Sequence, residues 1–137
     1  MIFDIKTLAT IDLLVQGLLM ATVLGAAYLA KVRHQLIRHC RIIRVVVAIQ
    51  LLIILFRMLP LMLDYLKNPG LFFQTEMLIH HSLGILLILL WVYINLAVMG
   101  RVRVLGRLVM YMRTALLVWG LVFLLGLHLY LRIYVLS

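Results

Sequence analysis

Acids are nearly missing from this 137-residue chain: Asp4, Asp12, Asp64 and Glu76 are the only four, against 13 lysines and arginines. A single cysteine, Cys40, excludes an intrachain disulfide, and one thiol beside His39 is a thin metal motif. Two prolines, Pro60 and Pro69, leave long stretches without a helix breaker. Charged residues make up 12% of the chain and hydrophobic ones 67%, too little polar surface to clothe a water-soluble globule. No Ser-His-Asp arrangement, phosphate loop or HExxH motif is present, which removes the usual signatures of hydrolases and kinases.

What fills the chain instead is four apolar runs, at about residues 8–30, 43–63, 77–100 and 114–136. Each is near the 20 residues that cross the hydrocarbon of a bilayer. With no water there to satisfy backbone polar groups, all four are predicted to be helices. The runs are continuous rather than alternating, which excludes an outer-membrane barrel. They use up most of the length, so the expectation is one all-α transmembrane domain over residues 1–137. Short links imply sequential neighbours, hence an antiparallel four-helix bundle.

The bases are not evenly spread. Lys31, Arg33, Arg38, Arg41 and Arg44 lie in one acid-free stretch, and Arg101, Arg103, Arg107 and Arg113 in another. Together they equal the net charge of +9, since Lys6, Arg57, Lys67 and Arg132 are balanced by the four acids. Basic links between apolar runs are the positive-inside pattern. The chain is thus expected to lie in a prokaryotic cytoplasmic membrane with links 31–44 and 101–113 inside, and link 64–76 and both termini outside. Cys40 then faces a reducing compartment. Bases that flank spans answer to anionic lipid rather than nucleic acid. The first run has no basic stretch before it and no small-residue cleavage site, so a retained span is expected.

Small residues Gly17, Ala21 and Gly25 fall in one row of span 1, the kind of row on which another helix packs closely. Gln50, Arg57 and Asp64 fall at heptad spacing in span 2, on one face of an unbroken helix. Pro60 predicts a kink or an end there, and Asn68-Pro69-Gly70 a turn before Phe72 and Phe73. Span 3 carries His80, His81, Gly84, Trp91 and Asn95; span 4 carries Trp119, Gly120, Gly126, His128, Tyr130 and Arg132.

Ionisable residues inside a membrane are functional candidates by default. At about 1.5 Å per residue, Asp12, Gln16, Arg57, Asp64, His80, His81, His128 and Arg132 all fall toward the outer side. Three readings fit them. In the structural one, Asp12 or Asp64 neutralises Arg57 or Arg132 and the histidines bond across helices. In the second, His128 with His80 or His81 supplies the two axial ligands of a b-type haem, Gly84 and Gly126 leaving room for the ring. In the third, the imidazoles hold a metal ion. A transporter would want a carboxylate at the midplane, and Asp12 is too near the outer end. Scattered methionines fit no copper-binding repeat and read as packing.

The sequence also resembles the YozB/CtaM-like family of small four-span membrane proteins, over roughly residues 31–136. The resemblance is carried by Arg38-His39-Cys40-Arg41, by His80-His81-Ser82-Leu83-Gly84, and by Met112-Arg113-Thr114 leading to Trp119, Gly126 and Tyr130. It implies a link to haem–copper oxidase assembly or to respiratory complexes. One departure is plain: where the family often has a histidine-arginine pair before its last span, this chain has Gly106-Arg107-Leu108. The combined expectation is a non-enzymatic accessory subunit or assembly factor of a respiratory or photosynthetic electron-transfer complex. Its partners are then the lipid bilayer and other membrane subunits. The alternative is a haem-binding or quinone-linked electron-transfer protein.

Overall fold

A computed structural model describes residues 4–67 and 74–136. Their regular structure is all helical, with no strand among them. The helices are α1 (Ile5–Lys31), α2 (Leu36–Ile53), a π-helical turn (Ile54–Met58), α3 (Leu59–Lys67), α4 (Gln74–Val98) and α5 (Leu108–Tyr134). They form four segments long and apolar enough to cross a membrane: Ile5–Lys31, Leu36–Asp64, Thr75–Val98 and Leu108–Tyr134. The predicted turn at Asn68-Pro69-Gly70 and the pair Phe72-Phe73 lie outside the described residues.

The helices start earlier than the apolar runs did. The apolar runs of spans 2 and 4 begin at about residues 43 and 114, yet α2 begins at Leu36 and α5 at Leu108. The extra turns carry Arg38, Arg41 and Arg113, all exposed. Long basic side chains lie along an apolar helix while their heads reach the polar zone, so charge does not end the helix.

Span 2 departs from a plain α-helix at Pro60. Proline has no N–H to donate, and its ring would press on the carbonyl of Phe56 one turn back. Just before it the helix widens: the N–H of Leu59 reaches the carbonyl of Ile54, five residues away. Such a turn adds one residue, so everything beyond it is rotated by about 100° from the unbroken register. The single face expected for Gln50, Arg57 and Asp64 is therefore split. Gln50 is 4% exposed, Arg57 is half-buried and Asp64 is exposed.

The chain divides into two compact units, residues 1–71 and 72–137. In the first, Leu19, Val23 and Ala26 of α1 are buried, as are Val46, Val47 and Gln50 of α2. The row Gly17, Ala21 and Gly25 is not this seam. Ala21 and Gly25 are exposed, and a Cβ at Gly25 would meet nothing within 4 Å. The bulkier Leu19/Val23/Ala26 stripe buries more apolar surface than the small row would. In the second unit Leu87 and Trp91 of α4 are buried, with Ala115, Val118, Trp119 and Leu129 of α5. Trp91 and Trp119 meet edge to face, ring centres 4.9 Å apart, a geometry aromatic rings favour.

The two described links, 32–35 and 99–107, are short and built. His34 takes a left-handed φ of 53° between α1 and α2, a conformation histidine tolerates better than most side chains. After α4, Gly100 (φ 70°) ends the helix. Its N–H bonds to Ala97, and that of Arg101 to Leu96, the paired bonds of a Schellman stop. Gly106, at φ 90°, turns the chain into α5.

At most 22% of any span is buried, so the apolar side chains face outward on nearly every turn. A surface of this kind is stable only against lipid or another apolar protein.

Candidate functional site

With so little polar surface, each polar group in the spans has to find a partner or lose several kcal/mol in hydrocarbon. Many find one in their own helix. The amide of Asn95 donates to the carbonyl of Trp91 at 2.8 Å, and Thr22 and Thr114 donate to carbonyls four residues back. These are satisfied locally and have no further role to explain. The remaining groups gather along one seam in each unit.

In residues 1–71 the seam joins α1 to the second span. Arg57, carried by the π turn, reaches Asp12: Nη2 donates to Oδ2 at 2.9 Å, and Nε lies 3.4 and 3.3 Å from the two carboxylate oxygens. The pair thus rests on one short charge-assisted bond, with Nε shared between the two oxygens at longer range. One turn deeper on α1, Gln16 has a buried amide nitrogen with no hydrogen-bond partner, and Gln50 on α2 has a buried carbonyl oxygen in the same state. At the other end, Nδ1–H of His39 donates to the carbonyl of Ala26 at 2.8 Å. Contacts between α1 and the second span thus run in opposite sequence order, Asp12 to Arg57 and Ala26 to His39.

In residues 72–137 the seam joins α4 to α5. Arg132 Nη1 donates to Glu76 Oε1 at 2.6 Å. The other carboxylate oxygen is buried and lies 3.7 Å from His128 Nε2, just beyond hydrogen-bond reach. His80 sits one turn along α4 from Glu76, packed on Gly126. A Cβ there would lie 3.2 Å from its Cε1, and its Nδ1 is buried without a hydrogen-bond partner. Beside it, His81 turns its Nδ1–H to the carbonyl of Met77 at 2.7 Å. The two rings meet edge to face, centres 5.6 Å apart.

This arrangement bears directly on the ligand readings. The space that Gly126 leaves is taken by His80 itself. Gly126 and His128 are two residues apart, about 200° round the helix, so His80 and His128 do not face each other across a ring-sized gap. His81 has one ring nitrogen committed to its own helix. The donor set does not fit a bis-histidine haem. Among the described residues no three His, Cys, Asp or Glu side chains converge to hold a metal ion.

The ion pairs follow the structural reading, with one change of partner. Arg57 takes Asp12, as one of its options had it, but Arg132 takes Glu76 rather than Asp12 or Asp64. Asp64 is exposed on α3. Glu76 is the residue that sequence reasoning passed over. Its signal was its place one helical turn before His80, obscured because it looked like a boundary residue. His39 ties α2 to α1.

No family model, curated protein or solved structure matches the sequence. The likeness to the YozB/CtaM-like family is thus carried by its short motifs alone.

Proposed function

We propose that this chain is a non-enzymatic accessory subunit or assembly factor of a respiratory or photosynthetic electron-transfer complex. On this reading it is an antiparallel four-helix bundle in a prokaryotic cytoplasmic membrane. Links 31–44 and 101–113 lie inside, and link 64–76 and both termini outside. The observation that carries it is the division of labour between polar and apolar groups. Asp12, Arg57, Glu76, His128 and Arg132 are spent on each other inside their own helix pairs, while the large apolar side chains are turned outward. Such a molecule presents faces to lipid and to other membrane helices. The electron-transfer setting comes from the family resemblance.

Co-purification in mild detergent tests it. A larger membrane complex should come down with the tagged chain, and deletion should lower the amount of assembled oxidase. A lone monomer with unchanged oxidase levels in the deletion strain would refute the reading. The alternative, haem held by His80, His81 and His128, has weaker support because His80 fills the space at Gly126, which lies about 200° round α5 from His128. A Soret band in haem-supplemented protein that disappears in His128→Ala would restore it.

A further inference from the structure

The second basic link is more ordered than a leaflet-facing coil needs to be. Its backbone is fastened at both ends and in the middle. The Schellman stop at Gly100 fixes the departure from α4. The hydroxyl of Tyr93 accepts from the N–H of Leu105 at 3.2 Å and donates to the carbonyl of Arg103 at 3.5 Å. Tyr111 donates to the carbonyl of Leu105 at 2.7 Å, and the two tyrosine rings pack with centres 4.9 Å apart. Both polar groups of the Leu105 backbone are thereby held by side chains from the two flanking helices.

On this fixed backbone stand Arg101, Arg103 and Arg107, all exposed. Among the described residues the ion pairs belong to Arg57, His128 and Arg132, so none of these three has an acid. Three exposed like charges on one fixed link, with no acid among them, favour an anion at this place. Guanidinium groups match the two free oxygens of a phosphodiester, bonding them in pairs.

We propose that the link 99–107 is a headgroup site for an anionic phospholipid, whose phosphodiester is held by Arg101, Arg103 and Arg107. It differs from diffuse attraction to a charged leaflet because the tyrosines preorganise it. The site depends on the membrane reading above only for its leaflet. Lipid binding to purified protein requires neither the orientation nor the partner complex, so the two can fail separately.

The test is native mass spectrometry of the full chain in detergent, titrated with phosphatidylglycerol or phosphatidylcholine. The wild type should retain phosphatidylglycerol in preference. Changing all three arginines to glutamine should weaken it on the order of a hundredfold, about fivefold for each base. Tyr93→Phe with Tyr111→Phe keeps every charge and should still weaken it severalfold, as should replacing the three arginines by lysine, which keeps the charge and the fold. Equal retention of both lipids would overturn the proposal, as would unchanged affinity in the lysine variant. Displacement of lipid by millimolar inorganic phosphate would reassign the site to a free anion.

Discussion

The pair Glu76–Arg132 should hold α4 against α5, and its strength can be bounded from its surroundings. The side chains are 31% and 40% exposed and 2.6 Å apart at their nearest oxygen and nitrogen. Fully exposed pairs contribute about 0.2–1 kcal/mol, and removing one partner of a fully buried pair costs about 3–5 kcal/mol. A pair of intermediate exposure, with His128 3.7 Å from the carboxylate, should fall between, so Glu76→Gln is expected to cost about 2 kcal/mol, roughly 30-fold in the folding equilibrium. The two tryptophans are both in this unit and touch each other, so fluorescence through an SDS titration reports on this helix pair. A cycle of Glu76→Gln, Arg132→Gln and the double variant should give a coupling of about 1–1.5 kcal/mol, with the double variant more stable than the two single losses added together. A coupling below about 0.3 kcal/mol would mean that the pair is a surface ornament and would refute the reasoning.

Gly126→Leu should destabilise the same helix pair by about 2 kcal/mol, since His80 occupies the space, whereas Gly84→Ala and Gly120→Ala, with nothing within 4 Å of an added Cβ, should be neutral or slightly stabilising by the same assay. In residues 1–71, Asp12→Asn should lower the SDS midpoint followed by far-UV circular dichroism, and Arg57→Gln in that background should recover part of the loss; no recovery would show that the two do not act as a pair. Gln50→Leu removes a buried carbonyl oxygen without a partner and should stabilise by about 1 kcal/mol; a loss instead would mean that its amide meets Gln16.

The four helices were legible because hydropathy runs reflect the same hydrocarbon thickness that makes them helical. The charged pairs were legible only as candidates. Sequence spacing places Asp12 and Arg57 at similar depth but says nothing of which way each helix turns. Glu76 was hidden by its position at a span boundary, where an acid reads as an end signal rather than a partner. The π turn could not be read either: Pro60 announces a disturbance but not its form, and the one-residue offset it introduces is what separates Asp64 from Gln50. The ring-sized gap that the haem reading expected turns on a related point. Glycine beside histidine reads as room for a ring, and only three-dimensional packing reveals that His80 has filled it.

Orientation in the membrane decides which side each basic link faces, and cysteine accessibility tests it most directly. Cys40 is exposed and lies in the first basic stretch, and Lys67 lies at the end of α3. In intact cells an impermeant thiol reagent should leave Cys40 unlabelled and should label Lys67→Cys in a Cys40→Ser background. Labelling of Cys40 from outside, with Lys67→Cys protected, would contradict the account.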